Sequence, residues 1–250
     1  HGAIKKGRLM KHSHNYLSLF MTFCVVVFIS NVAYAQRPTR SAINLGLSVK
    51  WANMNIGADT PEEYGNYYAW GETDTKRYYG IYSTYRHYDE KVYHKYTYKE
   101  LIGTVPDYLY VLLPEDDAAS KAWGDRWRMP TADEMKELVE KCQWRYVIHN
   151  GTRGYWVKNK YHESDSIFMP LVGYRDYGTY RFRPGTEGRY WTSSLLDSDA
   201  VSNVESIEPN KMDSSVCLKI SVSHIPSIDY IPRPVGCAIR PVLNEKPFSK

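Results

Sequence analysis

Between residues 127 and 142 the chain changes hydrophobic rhythm. The aromatic run ending in Trp127-Arg128-Met129-Pro130 gives way to Met135, Leu138, Val139 and Cys142, spaced i, i+3, i+4 and i+7. That spacing lays one apolar stripe along a helix. Thr131-Ala132-Asp133-Glu134 supplies its start: the Thr131 hydroxyl can accept from the Glu134 N–H while the Glu134 carboxylate reaches back to the Thr131 N–H. The pattern predicts a docked helix over 132–141, held behind a corner made by Trp127 and Pro130.

Elsewhere the apolar runs are short and strand-like. Leu47 to Trp51 reads as a first strand and Tyr67 to Trp70 as a second, after the turn Pro61-Glu62-Glu63-Tyr64-Gly65. Pro114-Glu115-Asp116-Asp117 opens a helix through Trp123, its acids at the positive end of the dipole. Tyr146 to Ile148 and Tyr155 to Val157 flank Asn150-Gly151, a favoured type I′ hairpin pair. Ser166 to Met169, Tyr190 to Ser193, Val216 to Val222 and Gly236 to Val242 complete the strands. Two helices among many short strands, without tandem repeat or linker, give an α+β domain. Residues 72–98 lack periodicity and are read as a long surface excursion.

Charge and leader change the picture next. Lys11, the apolar run Leu17 to Ile29 and the small-x-small pattern Ala33-Tyr34-Ala35 resemble a secretory signal peptide starting at Met10. At about a dozen residues the run is short of the roughly 20 that span a bilayer. The expected division is 1–35 as upstream residues and cleaved leader, and 36–250 as a single domain. Four of the 32 basic side chains lie in 1–35, with no acid, so 28 basic remain against 28 acidic. That balance argues against a nucleic-acid partner. No membrane span is expected after cleavage.

Cys142, Cys217 and Cys237 follow the leader, an odd number for an exported chain. A hairpin centred near residue 227 would set Cys217 opposite Cys237, making them a disulfide candidate; two unpaired thiols are the alternative.

A set of motifs now falls in order: Leu45-Gly46-Leu47-Ser48-Val49-Lys50-Trp51-Ala52, Pro61-Glu62-Glu63-Tyr64-Gly65, Tyr68-Ala69-Trp70-Gly71-Glu72, Asp116-Asp117-Ala118-Ala119, Trp127-Arg128-Met129-Pro130-Thr131, Gly173-Tyr174-Arg175, Tyr190-Trp191-Thr192-Ser193-Ser194 and Ile239-Arg240-Pro241-Val242. Together they resemble the Fibrobacter succinogenes major paralogous domain family of exported bacterial proteins. That family is similar in fold to C-type-lectin-like domains and to the formylglycine-generating enzyme group. The resemblance implies two helices packed on a twisted mixed β-sheet, long irregular loops, and paired N- and C-terminal strands. Met54 stands where many relatives carry a cysteine, so Cys142 is left without the partner the resemblance would give it. Relatives also lack cysteines at the positions of Cys217 and Cys237.

Candidate chemistry is sparse. The formylglycine-generating group uses paired cysteines and copper, whereas Cys237 has no second cysteine within a few residues, so a redox or modifying enzyme is only the rival reading. His-Glu-x-x-His, Cys-x-x-Cys, Gly-x-Ser-x-Gly and phosphate-loop patterns are absent from the sequence. Glu208-Pro209-Asn210 matches a calcium-lectin tripeptide, making Glu208 and Asn210 weak metal candidates, but the Trp-Asn-Asp partner is missing and calcium needs roughly six to eight oxygens. No cofactor is expected.

Eleven tyrosines lie between Tyr64 and Tyr98. Tyrosine offers flat amphipathic contact area at low entropic cost, so Tyr78, Tyr79, Tyr82 and Tyr85, with Trp191, are the candidate ligand residues. The competing reading is that these rings cover the core. Trp127, Arg128, Pro130, Thr131, Glu134 and Arg240 are read as structural, with Arg128 or Arg240 bridging to Asp116, Asp117 or Glu134. The expectation is an exported, non-enzymatic binding or adhesion module for glycan or protein, at the bacterial envelope or released from it. A purely structural surface component is the third reading.

Overall fold

The computed structural model describes Gly2 and residues 39–89, 92–99, 105–161, 166–178, 180–207 and 213–243. The leader segment and the Glu208-Pro209-Asn210 tripeptide lie outside the described residues. In chain order the strands are β1 Ala42–Ile43, β2 Trp51–Ala52, β3 Tyr88–Asp89, β4 Val92–Tyr93, β5 Trp127–Arg128, β6 Cys142–His149, β7 Thr152–Asn159, β8 Ser166–Pro170, β9 Tyr174–Asp176, β10 Tyr180–Phe182, β11 Glu187–Trp191, β12 Ser214–Ser221, β13 His224–Pro232 and β14 Val242–Leu243. The helices are α1 Ala118–Trp123, α2 Ala132–Lys141 and α3 Ser198–Ser202.

The early and late segments lie side by side. β14 pairs antiparallel with both β2 and β5 in the order β1-β2-β14-β5. Around that pairing Leu243 N–H donates to Lys50 O at 2.8 Å, Ala52 N–H to Pro241 O at 2.9 Å and Ile56 N–H to Ile239 O at 3.1 Å. The α+β class and the paired ends therefore match expectation. The single twisted mixed sheet does not: the strands form five small antiparallel sheets, and parallel pairing among the described residues is confined to isolated bridges, Gly173 to Gly188 and Tyr190 to Ala238.

α2 has the predicted bounds. Thr131 Oγ1 accepts from Glu134 N–H at 3.3 Å and Glu134 Oε2 accepts from Thr131 N–H at 2.8 Å, closing the capping box. Its stripe is buried, with Met135 and Leu138 at 0 % exposure, so Leu138→Ala would cost about 2–5 kcal/mol. The first helix is shorter than predicted. Pro114–Asp116 forms a 3-10 turn, and Asp117 is the N-cap of α1, its Oδ1 accepting from Ala119 and Ser120 N–H. α3 was not expected; Asp197 caps it through Ala200 N–H.

Beside β1, β9 and β10, β13 is a further strand that the sequence reading missed. It carries Pro226, Asp229 and Pro232, a pattern that argues against a central strand, but it lies at the edge of β11-β12-β13, where proline is tolerated. β12 and β13 form the hairpin, with Cys217 opposite Asp229. Cys237 belongs to a later segment, bridged to Tyr68. The proposed register for a Cys217–Cys237 disulfide is therefore wrong, and Cys142, Cys217 and Cys237 are free, buried thiols.

Among the described residues no helix is long and apolar enough to cross a membrane.

Candidate functional site

Most of the tyrosines from the long excursion point inward. Tyr67, Tyr79, Tyr85 and Tyr93 form a buried cluster with Ala69, against which Tyr82 and Tyr88 pack. The hydroxyls are satisfied inside: Tyr79 OH donates to Tyr67 O at 2.6 Å and Tyr85 OH to Trp70 O at 2.7 Å. Gly236 makes room for one ring, since a Cβ there would sit 2.6 Å from Tyr79 Cδ1. Trp191 is fully buried and its Nε1–H donates to Tyr68 O at 2.8 Å. Tyr79, Tyr85 and Trp191 are thus core residues, not ligand residues. Tyr82 is half-buried with its hydroxyl on the Asp213 carboxylate; burial first, then that acceptor, pushes the phenol well above its ordinary range.

Tyr78 alone of the four points outward, at 43 % exposure, beside a hairpin whose two outward rings sequence reasoning passed over. Tyr79 and Gly178 form an antiparallel bridge, each N–H donating to the other's carbonyl at 2.9 Å. That bridge fastens the 78–80 segment to the β9–β10 hairpin. Tyr177 and Tyr180 at its turn are 77 % and 70 % exposed. A Cβ at Gly178 would lie 3.7 Å from Tyr78 Cδ1, so the Tyr78 ring covers the turn itself.

The turn is held in an uncommon conformation. Tyr177 has φ +47°, a left-handed setting that costs a non-glycine residue on the order of 1–3 kcal/mol. Asp176 Oδ1 accepts from Tyr177 N–H at 2.9 Å. Beneath it Tyr174 and Phe182 stack, centroids 5.6 Å apart, and Tyr177 meets the Phe182 edge at 6.1 Å. Exposed rings on such a base lose little side-chain freedom on binding.

Arginines alternate with these rings. The Arg77 guanidinium lies 5.3 Å from the Tyr78 centroid, Arg181 5.2 Å from Tyr64 and Arg175 5.2 Å from Tyr67. Arg175 and Arg181 are directly opposite across β9 and β10. Among the described residues no carboxylate forms an ion pair with any of the three, whereas Arg183, next along, reaches Glu187 at 3.3 Å. Burial holds the Asp176 carboxyl above its ordinary range. The surface is aromatic and cationic together. The signal that could have found it is Tyr174-Arg175-Asp176-Tyr177-Gly178-Thr179-Tyr180-Arg181-Phe182, two alternating runs around a glycine turn.

The remaining candidates are structural. Arg128 binds Glu134 by two hydrogen bonds and also donates to Met129 O at 3.1 Å, as expected for one of the two arginines. Arg240 makes no such pair: it is fully buried, and its Nε and two terminal nitrogens donate to Asn55 Oδ1, Ala52 O and Phe168 O at 2.8, 3.2 and 2.9 Å. Trp127 meets Trp123 edge-on at 5.4 Å, and Pro130 O accepts from Ser193 N–H at 2.7 Å.

The thiols do not suit nucleophilic or copper chemistry. Cys217 and Cys237 are 0 % exposed. Burial pushes Cys142 up to about 11, Cys217 up to about 12 and Cys237 well above the ordinary thiol value. Reactive cysteines need the opposite shift. Among the described residues no group of three or more His, Cys, Asp or Glu is placed to hold a metal ion.

No protein-family model matches this chain, and no curated protein or solved structure does either.

Proposed function

We propose that the chain is an exported, non-enzymatic binding module of the C-type-lectin-like kind, related to the Fibrobacter succinogenes major paralogous domain family, that recognises glycan at the bacterial envelope or outside it. The observation that carries this reading is the outward-facing trio Tyr78, Tyr177 and Tyr180, carried on two distant segments that the Tyr79–Gly178 bridge joins. A sugar ring presents an apolar face of C–H bonds edged by hydroxyls. A tyrosine matches it, with a flat ring for the face and a hydroxyl at the rim.

Exposed aromatic groups on a strained, well-supported turn are hard to explain by folding alone, because the fold gains nothing from rings left in water. A modifying enzyme built on Cys237 is the weaker reading, since that thiol has no access to substrate. The test is a glycan array probed with the protein and with a Tyr177→Ala, Tyr180→Ala double variant. Signals on a subset of glycans that vanish in the variant support the proposal. Signals unchanged by the variant, or none at all, reject it.

A further inference from the structure

We infer that the ligand of this surface is an acidic polysaccharide, a pyranose chain bearing carboxylates or sulfates, which the arginines among the tyrosines recognise. The inference rests on the glycan reading above and adds the charge of the ligand to it.

The first ground is the Arg175–Arg181 pair. Like charges placed directly across two strands destabilise a sheet, yet this pair stands at the middle of the three-residue β9–β10 ladder, Arg181 exposed and Arg175 half-buried, with no described carboxylate paired to either member. A bound anion relieves that repulsion. The second ground is the stacking. A guanidinium laid against a ring is fixed in orientation while its N–H groups stay available to a planar anion, which it can grip bidentately. Arg77 on Tyr78 and Arg181 on Tyr64 are both exposed. The Arg77 guanidinium makes no hydrogen bond or ion pair to a described residue, so its charge meets only the face of the Tyr78 ring.

The third ground is alternation. Rings and guanidinium groups are chain neighbours at Arg77-Tyr78, Tyr174-Arg175 and Tyr180-Arg181, as a ligand with alternating apolar faces and anionic groups requires. A nucleic acid also combines flat rings with anions, but proteins that track its backbone make roughly six to ten phosphate contacts. Three unpaired arginines on a chain with 28 basic and 28 acidic side chains after residue 35 fit a sparser anion spacing.

The decisive experiment measures binding of the full chain to polygalacturonate, alginate and heparin, to polygalacturonate whose carboxyls have been reduced to alcohols, and to oligothymidylate. At least one acidic polymer is expected to bind, and for polygalacturonate the reduced form binds about tenfold more weakly, the worth of two exposed charge pairs. Arg77→Gln with Arg181→Gln abolishes that preference and its salt dependence, while Arg77→Lys with Arg181→Lys restores part of it. Thermal melts of the lysine variant overlay the parent, and those of the glutamine variant lie at or slightly above it because the Arg175–Arg181 repulsion is gone. If neutral and acidic polymers bind equally and binding still needs Tyr177 and Tyr180, the charge inference is overturned and the glycan reading stands. If no polysaccharide binds, or if oligothymidylate binds more tightly than all of them, both are overturned.

Discussion

Arg128 and Glu134 are joined by two parallel hydrogen bonds, 2.7 Å from one terminal nitrogen to Oε2 and 2.5 Å from the other to Oε1. The same carboxylate closes the capping box on Thr131. One side chain thus fastens the start of α2 to the end of β5, where β14 and β2 assemble.

That double duty sets the first prediction. Glu134→Ala removes both a helix cap and a charge-assisted pair between largely buried groups, so a loss of about 2–3 kcal/mol is expected. Thr131→Ala should lose about 1 kcal/mol. Urea midpoints measure both, and equal losses for the two would show that the Arg128 pair contributes nothing.

Arg240 is expected to be less forgiving. Arg240→Met leaves Asn55 Oδ1, Ala52 O and Phe168 O without their donor. Buried acceptors stripped of partners cost about 1–3 kcal/mol each, so a loss of about 3 kcal/mol or more should appear in denaturant unfolding. A midpoint within error of the parent would refute this role.

The helix cap was legible because its signal is local and periodic, whereas the paired ends were expected from the family resemblance alone. Thr131 and Glu134 are three residues apart, and the α2 stripe repeats on the helical period. The tyrosines carry no such signal. Whether Tyr79 faces in or Tyr78 faces out depends on Gly236, which leaves room for the Tyr79 ring 157 positions along, and on the bridge to Gly178. Both are long-range relations. β13 was hidden for another reason: two prolines and an aspartate obscure its alternation, and only its place at a sheet edge makes them acceptable. The runs of 67–70 and 236–242 were over-read as strands, because isolated bridges such as Tyr68 to Cys237 use the same residue types as longer ladders.

His87 makes stability depend on pH in a defined window. It is 7 % exposed, with Nε2 2.9 Å from Gly71 O and 4.0 Å from Asp116. Burial holds it below its ordinary 6.5. Above that pH the ring is neutral in both states; as pH falls below it, the unfolded chain takes up the proton first and stability declines until the folded ring is protonated. Asp116 titrates elsewhere: burial opposes ionisation, but hydrogen bonds from Lys95 and Tyr96 outweigh it and hold the carboxyl below 3.8. Melting temperature should therefore fall in two stages, and His87→Gln should remove the first. A melting temperature that stays flat between pH 7 and about 4, where carboxylates begin to titrate, would refute it.

The thiols give a direct chemical check. Cys142, Cys217 and Cys237 should resist iodoacetamide in the native protein and react fully in urea, read by peptide mass. Cys237→Ala should leave glycan binding unchanged. Rapid native alkylation of Cys237 would revive the enzymatic reading.

The central claim is that outward rings bind and inward rings fold. Its most direct measurement pairs thermal stability with glycan binding for Tyr177→Ala, Tyr180→Ala on one side and Tyr79→Ala on the other. The hairpin variant should hold its stability to within about 0.5 kcal/mol and lose binding, while Tyr79→Ala should lose about 3 kcal/mol or more. A hairpin variant that still binds, at undiminished stability, would contradict the account.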